Sequence, residues 1–211
     1  MPQHSHDTQI DESQPQPLTK DPSCRRRSQR CHQAILSATI ELLEEKGYSG
    51  VSVEAIAARA GVGKQTIYRW WTCKAGVIME AYADYAAKSV PMPETGSVKE
   101  DLRQILHQLS TILTTTSTGA ALAGLIAEAQ ANPEMADVFR EKFVASRRAM
   151  TRTILERGIE RGELRPDFNM DVAIDVTYGP VWYRLLIKHA PLDETFVEEL
   201  VTMLMVWMQV Q

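Results

Sequence analysis

Apolar residues recur three and four positions apart through most of this chain. In CHQAILSATIELLEEKGYSG, Ile35, Ala38, Leu42 and Leu43 share one helical face until Gly47 stops the run. A second helix is predicted from the N-cap Ser52 through SVEAIAARA to Gly61, and a third from near Lys64 to about Trp71. A fourth should begin at Thr72 to Lys74, with Thr72 placed to cap it, and continue through Tyr85 to about Lys88. PMPETGS, Pro91 to Ser97, has the prolines and glycine of a linker. Beyond it, helices are predicted over 98–115, 119–131, 133–161, 169–188 and 193–210. The breaks fall at Thr116 to Thr118, Asn132-Pro133, Gly162 to Phe168 and His189 to Leu192. No Val- or Ile-rich alternation signals a sheet and no internal repeat is present, so the expected fold is all-α.

Residues 1–22 are rich in Gln, Ser, Pro and Asp and poor in apolar side chains, which predicts a disordered tail. The expected organisation is then a first helical unit over 23–73, a connecting helix over 74–90 and a larger helical domain over 98–211. A chain of 211 residues suits one or two domains. No stretch approaches the roughly 18 apolar residues of a membrane span, so no membrane partner is expected. The opening MPQHSHDTQIDESQPQP lacks a positive leader and an apolar core, which predicts a cytoplasmic setting. Cys24, Cys31 and Cys73 are odd in number and lack Cys-x-x-Cys spacing. They read as reduced thiols, with neither a zinc site nor any cofactor motif.

The net charge of −4 is unevenly placed. Residues 1–19 carry Asp7, Asp11 and Glu12 and no base, residues 20–75 carry ten Lys or Arg against five acids, and residues 76–211 carry thirteen against nineteen. A basic unit beside an acidic body suits a polyanionic partner for the first part alone, because Lys and Arg gain affinity by releasing counterions from phosphates.

GVGKQTIYRWW, Gly61 to Trp71, poses the functional question. A phosphate-binding loop needs Gly-x-x-x-x-Gly-Lys-Ser/Thr after a buried strand. With Gly63-Lys64 as centre, the first glycine falls on Ala58 and the hydroxyl on Gln65, and the preceding segment is helical. A helix-turn-helix instead needs a small residue at the crossing, a glycine in the turn and apolar residues between the helices. Ala57, Gly61 and the set Ile56, Ala60, Val62 and Ile67 meet those needs. An ordinary helical corner would share this spacing, but Lys64, Gln65, Thr66, Tyr68 and Arg69 put donors on the outward face.

On these residues, SVEAIAARAGVGKQTIYRWWTCKAGVIMEAY resembles the DNA-binding module of the TetR (tetracycline repressor) family, through its Ala-Gly-Val turn, its Thr-x-Tyr core and the Ser-Lys-like pair opening the fourth helix. The match covers residues 30–85, and RGELRPDFNMDVAIDVTYGPVWYRLLI is similar to the C-terminal half of one branch. The resemblance implies that Thr66 and Tyr68 meet phosphate or base edge, and that Lys64, Gln65, Arg69 and Trp70 set sequence preference. It also implies that Ser52 and Lys74 meet phosphates at helix starts, where free N–H groups and dipole ends attract anions. Gly63 stands where the family usually has a Ser cap, and Thr72-Cys73 where it often has Pro or Asn then Ser. Cys73 reads as a plain small residue rather than a redox switch. Arg25, Arg26 and Arg27 are either a minor-groove arm or a solvated charge run, with Arg26 and Arg27 carried as candidate DNA contacts. Of Trp70 and Trp71, one should pack inside, and the spacing from Ile67 does not choose between them.

In the body, Phe196, Leu200, Leu204 and Trp207 form one stripe of the last helix and Val197, Val201, Met205 and Met208 the next. That arc is wider than one-sided burial needs, which predicts a cover from a second subunit. The resemblance implies the same: a homodimer through the last two helices, reading an inverted-repeat double-stranded operator. It further implies a small-molecule effector held in the second domain and released DNA on binding. Candidate lining residues are His107, Leu125, Phe143, Met150, Tyr178 and Trp182, for each of which core packing is the competing role. GAALAGLIAEA, Gly119 to Ala129, permits a cavity or, better, close helix packing. Gly179-Pro180 predicts a bend that serves an interface, a pocket wall or only the core. No hydrolase, zincin or dinucleotide motif occurs, so no enzyme is expected. The alternative is a helical adaptor that binds protein and not DNA.

Overall fold

A computed structural model describes residues 22–89 and 91–210, and ten α-helices carry them. The tail before Pro22 and the side chains of Arg26 and Arg27 lie outside the described residues. Helix α1 (Pro22–Gly50) leaves helical geometry at Gly47, where φ is +66°. Helix α2 (Val53–Ala60) starts under Ser52, whose hydroxyl accepts the Ala55 N–H at 3.2 Å. It ends on Gly61 in the left-handed region, φ +67° and ψ 33°, which lets the Val62 N–H return to the Ala57 carbonyl at 2.9 Å. Helix α3 (Lys64–Tyr68) is short and has no side-chain cap at Gly63. The Arg69 and Trp71 N–H groups extend its turn onto the Gln65 and Ile67 carbonyls at 3.1 and 3.0 Å.

Helix α4 (Lys74–Ser89) begins one residue later than a Thr72 cap requires, so Cys73 precedes it. Its Ala75, Val77, Ile78, Met79, Ala81 and Tyr82 are all buried. One face packs on α1, and others pack on α6 (Thr118–Ala131), on α7 (Pro133–Phe139) and on the wide turn that follows α7. The body adds α5 (Val98–Thr115), α8 (Ala145–Glu160), α9 (Met170–Ile187) and α10 (Glu194–Met208). Among the described residues the only extended pairing is one bridge between Leu164 and Gln209.

The long helix predicted over 133–161 is interrupted. Arg140–Val144 forms a π-turn between α7 and α8, so one extra residue rotates everything after it. Nothing in REKFV marks such a turn; its effect is to bring Phe143 inward, where it is buried and stacked on Phe139 at 5.4 Å.

Polar ties set the ends of the body helices. The linker is held by buried Asp101, which accepts the Thr95 N–H at 2.9 Å and its hydroxyl at 2.7 Å. The first N–H of α5 is taken by Glu163 at 2.8 Å, a cap delivered from the loop after α8 rather than by Ser97. That loop is in turn fixed to the end of α10 by the Arg165 N–H on the Met208 carbonyl, 3.0 Å.

The two stripes of α10 behave differently from the expectation. Phe196, Val197, Leu200, Val201, Leu204, Met205 and Met208 are buried inside the single chain, and Trp207 partly so, because α5 and α9 both pack on this helix. The apolar residues left outside are others: Met203, Val206 and Val210 near the chain end, and Val172, Tyr183, Leu186 and Ile187 on α9.

Gly158 of α8 sits where α5 and the following loop converge. A Cβ there would stand 2.2 Å from Val98 Cγ2 and 3.1 Å from Leu164. Gly158→Ala is expected to cost about 1–3 kcal/mol by overpacking, read as a lower urea midpoint with an unchanged slope.

Candidate DNA interface and cavity

The reading face is built by a single anchor. Ile67, wholly buried, fixes α3 to the head, so Lys64, Gln65, Tyr68 and Arg69 are turned outward and Thr66 is half-exposed. Tyr68 is 52% exposed, unusual for a large ring that nothing covers. Lys64 is loosely held by Glu54 at 3.2 Å, both more than half exposed, an ion pair of little strength. Trp71 is the tryptophan that packs inside, donating its indole N–H to Glu80 at 3.0 Å. Trp70 is half-buried, edge-on to His32 and Trp71, with the Arg69 guanidinium 5.2 Å from its ring. The hydroxyl of Ser52 is occupied as the α2 cap.

Lys74 is placed elsewhere than a free phosphate contact would be. Its ammonium donates to the Tyr48 carbonyl at 3.3 Å and lies 4.5 Å from the Tyr48 ring centre. The Tyr48 hydroxyl in turn donates to Glu128 of α6 in a short hydrogen bond. Burial, then the Glu128 carboxylate, push the Tyr48 phenol well above its usual range, so it remains protonated and a donor. The ring crosses α6 at Gly124, where a Cβ would meet it at 2.8 Å. The small residues of Gly119 to Ala129 thus serve close packing: Ala121, Leu122 and Leu125 are fully buried.

A cavity of about 290 Å³ opens between the π-turn, α8 and α9. Of the candidates, Phe143, Tyr178 and Trp182 line it. His107 does not; it is exposed on α5. Leu125 lies wholly in the core and Met150 is half-buried against it, both away from the cavity wall. Gly179 also lines the cavity, and Pro180 follows it inside α9. Arg147, Arg148, Val144, Ile174 and Asp175 complete the wall. Two stripes of spacing four carried the signal, Phe143-Arg147-Thr151 and Ile174-Tyr178-Trp182, with an arginine inside an otherwise uncharged row. The Thr151 and Tyr178 hydroxyls are 2.8 Å apart. Burial pushes the Tyr82 phenol up to about 12 and raises that of Tyr178, while the charge of Arg147 pulls both the other way. Phe143 touches Tyr82 of α4 at 5.2 Å and Trp182 at 5.9 Å, so the cavity wall and the connecting helix share a ring.

A basic helix-turn-helix joined through one buried helix to a hollow helical body defines a DNA-binding regulator. Comparison with known proteins agrees. Residues 35–81 match the profile described as bacterial regulatory proteins, tetR family, and residues 92–204 match tetracyclin repressor-like, C-terminal domain. The helix-turn-helix-type transcriptional regulator YdeS of Bacillus subtilis is 41% identical over 177 residues, covering 84% of this chain and 89% of its own. The solved TetR family regulator SCO0332 superposes with a TM-score of 0.79 at 34% identity, over 84% of this chain and 97% of that one. FadR of Bacillus subtilis, solved with stearoyl-CoA, shares the fold at a TM-score of 0.63 and 20% identity, over 82% and 97%. This chain belongs to the TetR family of transcriptional regulators. No single helix among its described residues is long and apolar enough to cross a membrane.

Tyr48→Phe keeps the ring against Gly124 and Lys74 but leaves Glu128 without its donor. The expected loss is about 1 kcal/mol of stability in urea unfolding, with helix content by circular dichroism unchanged.

Proposed function

We propose that this chain is a homodimeric repressor, acting on DNA in the cytoplasm without catalysis, that leaves an inverted-repeat operator when a small molecule fills the cavity. The observation that carries the DNA half is the outward face of α3, held by Ile67 alone and offering Lys64, Gln65, Thr66, Tyr68 and Arg69 together. Those side chains combine phosphate donors with groups that read base edges. In this reading Thr66 and Tyr68 meet phosphate or base edge, while Lys64, Gln65, Arg69 and Trp70 set preference. Arg26 and Arg27, on the first turns of α1, supply further phosphate contacts in this reading. Ser52 and Lys74 act at one remove: Ser52 by capping α2, and Lys74 by joining α4 to the turn after α1.

The dimer half rests on the uncovered apolar residues of the last two helices. Val172, Tyr183, Leu186 and Ile187 of α9, Met203 and Val206 of α10, and Val210 just past it are between 43% and 75% exposed, apolar surface that a two-fold partner would bury. Two heads related by that axis present α3 to successive major grooves, roughly 34–36 Å apart.

Release is a population shift. A ligand against Phe143 and Trp182 bears on Tyr82, hence on α4, hence through Lys74, Tyr48 and Glu128 on the angle of the head. A ligand that fits best when the heads are wrongly spaced lowers DNA affinity by its preference for that state.

The test is selection of duplexes from a random pool, then anisotropy titration of the winner across a salt series. An inverted repeat with a steep salt slope is expected; enrichment of no sequence sinks the reading. Tyr68→Ala should lose at least about tenfold in affinity, some 1.4 kcal/mol. Lys64→Ala, which removes one cation from the face, should flatten the salt slope by about one and relax the selected sequence. Val206→Asp is expected to sediment as a monomer and to lose the operator with it; a dimer unchanged by that substitution would place the interface elsewhere.

A further inference from the structure

Arg147 is the buried cation of the body, and no carboxylate pairs with it among the described residues. Arg147 is 9% exposed, its guanidinium 5.9 Å from the Phe143 ring, and it lines the cavity. Among the described residues its side chain makes no ion pair and donates no hydrogen bond. Neighbouring Arg148, by contrast, is neutralised twice, by Asp171 at 2.8 Å and by Asp175. Asp175 is the carboxylate of the cavity wall, and Arg148 holds it. Thr151 and Tyr178 bond to each other, and the Tyr178 hydroxyl also meets the Arg147 carbonyl at 3.4 Å. The walls therefore hold two arginines against one carboxylate, with the surplus charge on Arg147. A guanidinium set in a largely apolar wall with no protein partner is met only by the solvent of the cavity, and an anion delivered there gains its full charge-assisted pairing.

The remaining wall fixes the rest of the guest. Phe143, Val144, Ile174 and Trp182 are apolar or aromatic. At ~30 Å³ per water, the space of about 290 Å³ equals roughly ten waters, room for one or two rings and a short chain. The planar fork of an arginine matches a carboxylate in a two-point contact. We infer that the effector is a small aromatic or branched apolar carboxylate, its charge bound by Arg147 and its body set between Phe143 and Trp182. This rests on the effector reading above and names the chemical class that the site selects.

Calorimetric titration of the full chain tests it, with 3-phenylpropionate and 2-naphthoate against their uncharged amides. Each acid that binds should bind at least tenfold tighter than its amide. In Arg147→Met that preference should fall below twofold, and Arg147→Lys, a charge without the fork, should stand between. The unliganded Arg147→Met protein should melt at or above the wild-type temperature, since the substitution breaks no hydrogen bond or ion pair and keeps an apolar stem in the wall; a purely structural arginine predicts a lower melting temperature. Neither acid binding, acids and amides binding alike, a preference that survives in Arg147→Met, or a destabilised unliganded variant would each overturn the inference. Operator affinity measured on the same samples separates the two claims. Acids bound through Arg147 with DNA affinity unmoved would retain the site and sink its role in release. Intact operator binding with no acid bound would do the reverse.

Discussion

Helix α4 is buried on opposing faces, and that double burial is what makes one machine of two units. A helix with a single apolar stripe would belong to the head or to the body. Here Ala75 and Ile78 join the head cluster while Tyr82 reaches the ring of Phe143, and Trp71, His32 and Gln33 are tied to Glu80 and Asp84 along its flank. Interiors pack closely enough that such a helix has few intermediate positions. In the proposed release, this helix is the element through which a displacement at the cavity would reach the head.

The second joint is polar and works by satisfaction. Tyr48 closes α1, crosses α6 where only glycine admits its ring, and spends its hydroxyl on Glu128 and its carbonyl on Lys74. Each of these groups would be costly to leave unpaired in a half-buried setting. The joint holds one geometry well, and any other requires several bonds to be exchanged together. Such an all-or-none exchange is what a regulator with two states needs.

Much of this was legible beforehand. The helix-turn-helix was readable because each demand falls on a residue type with few alternatives: Gly61 for a positive φ, Ala57 for a close crossing, Ile67 for an anchor. The boundaries of α5, α6, α9 and α10 followed from Ser, Asn, Pro and Gly punctuation. The π-turn was not legible, since it adds a residue without any breaker to announce it. Nor were the true exits of helical faces. His107 sits on an amphipathic helix whose inward side is taken by Leu102, Leu106 and Leu109, leaving it outside. Leu125 and Met150 are apolar residues that any core would accept, and one-dimensional spacing does not tell a wall from a void. The width of the α10 arc was read well, and its cover misassigned, because α5 was not known to lie across it.

The separation of charge has a consequence for motion rather than for structure. Ten bases and five acids lie in residues 20–75, whereas residues 76–211 carry nineteen acids against thirteen bases. In the field around a duplex such a molecule feels a torque as well as a pull, one end drawn inward and the other pressed away. It arrives head first, so collisions that would otherwise be wasted on the flank become productive, and added salt slows the approach before it weakens the finished contact.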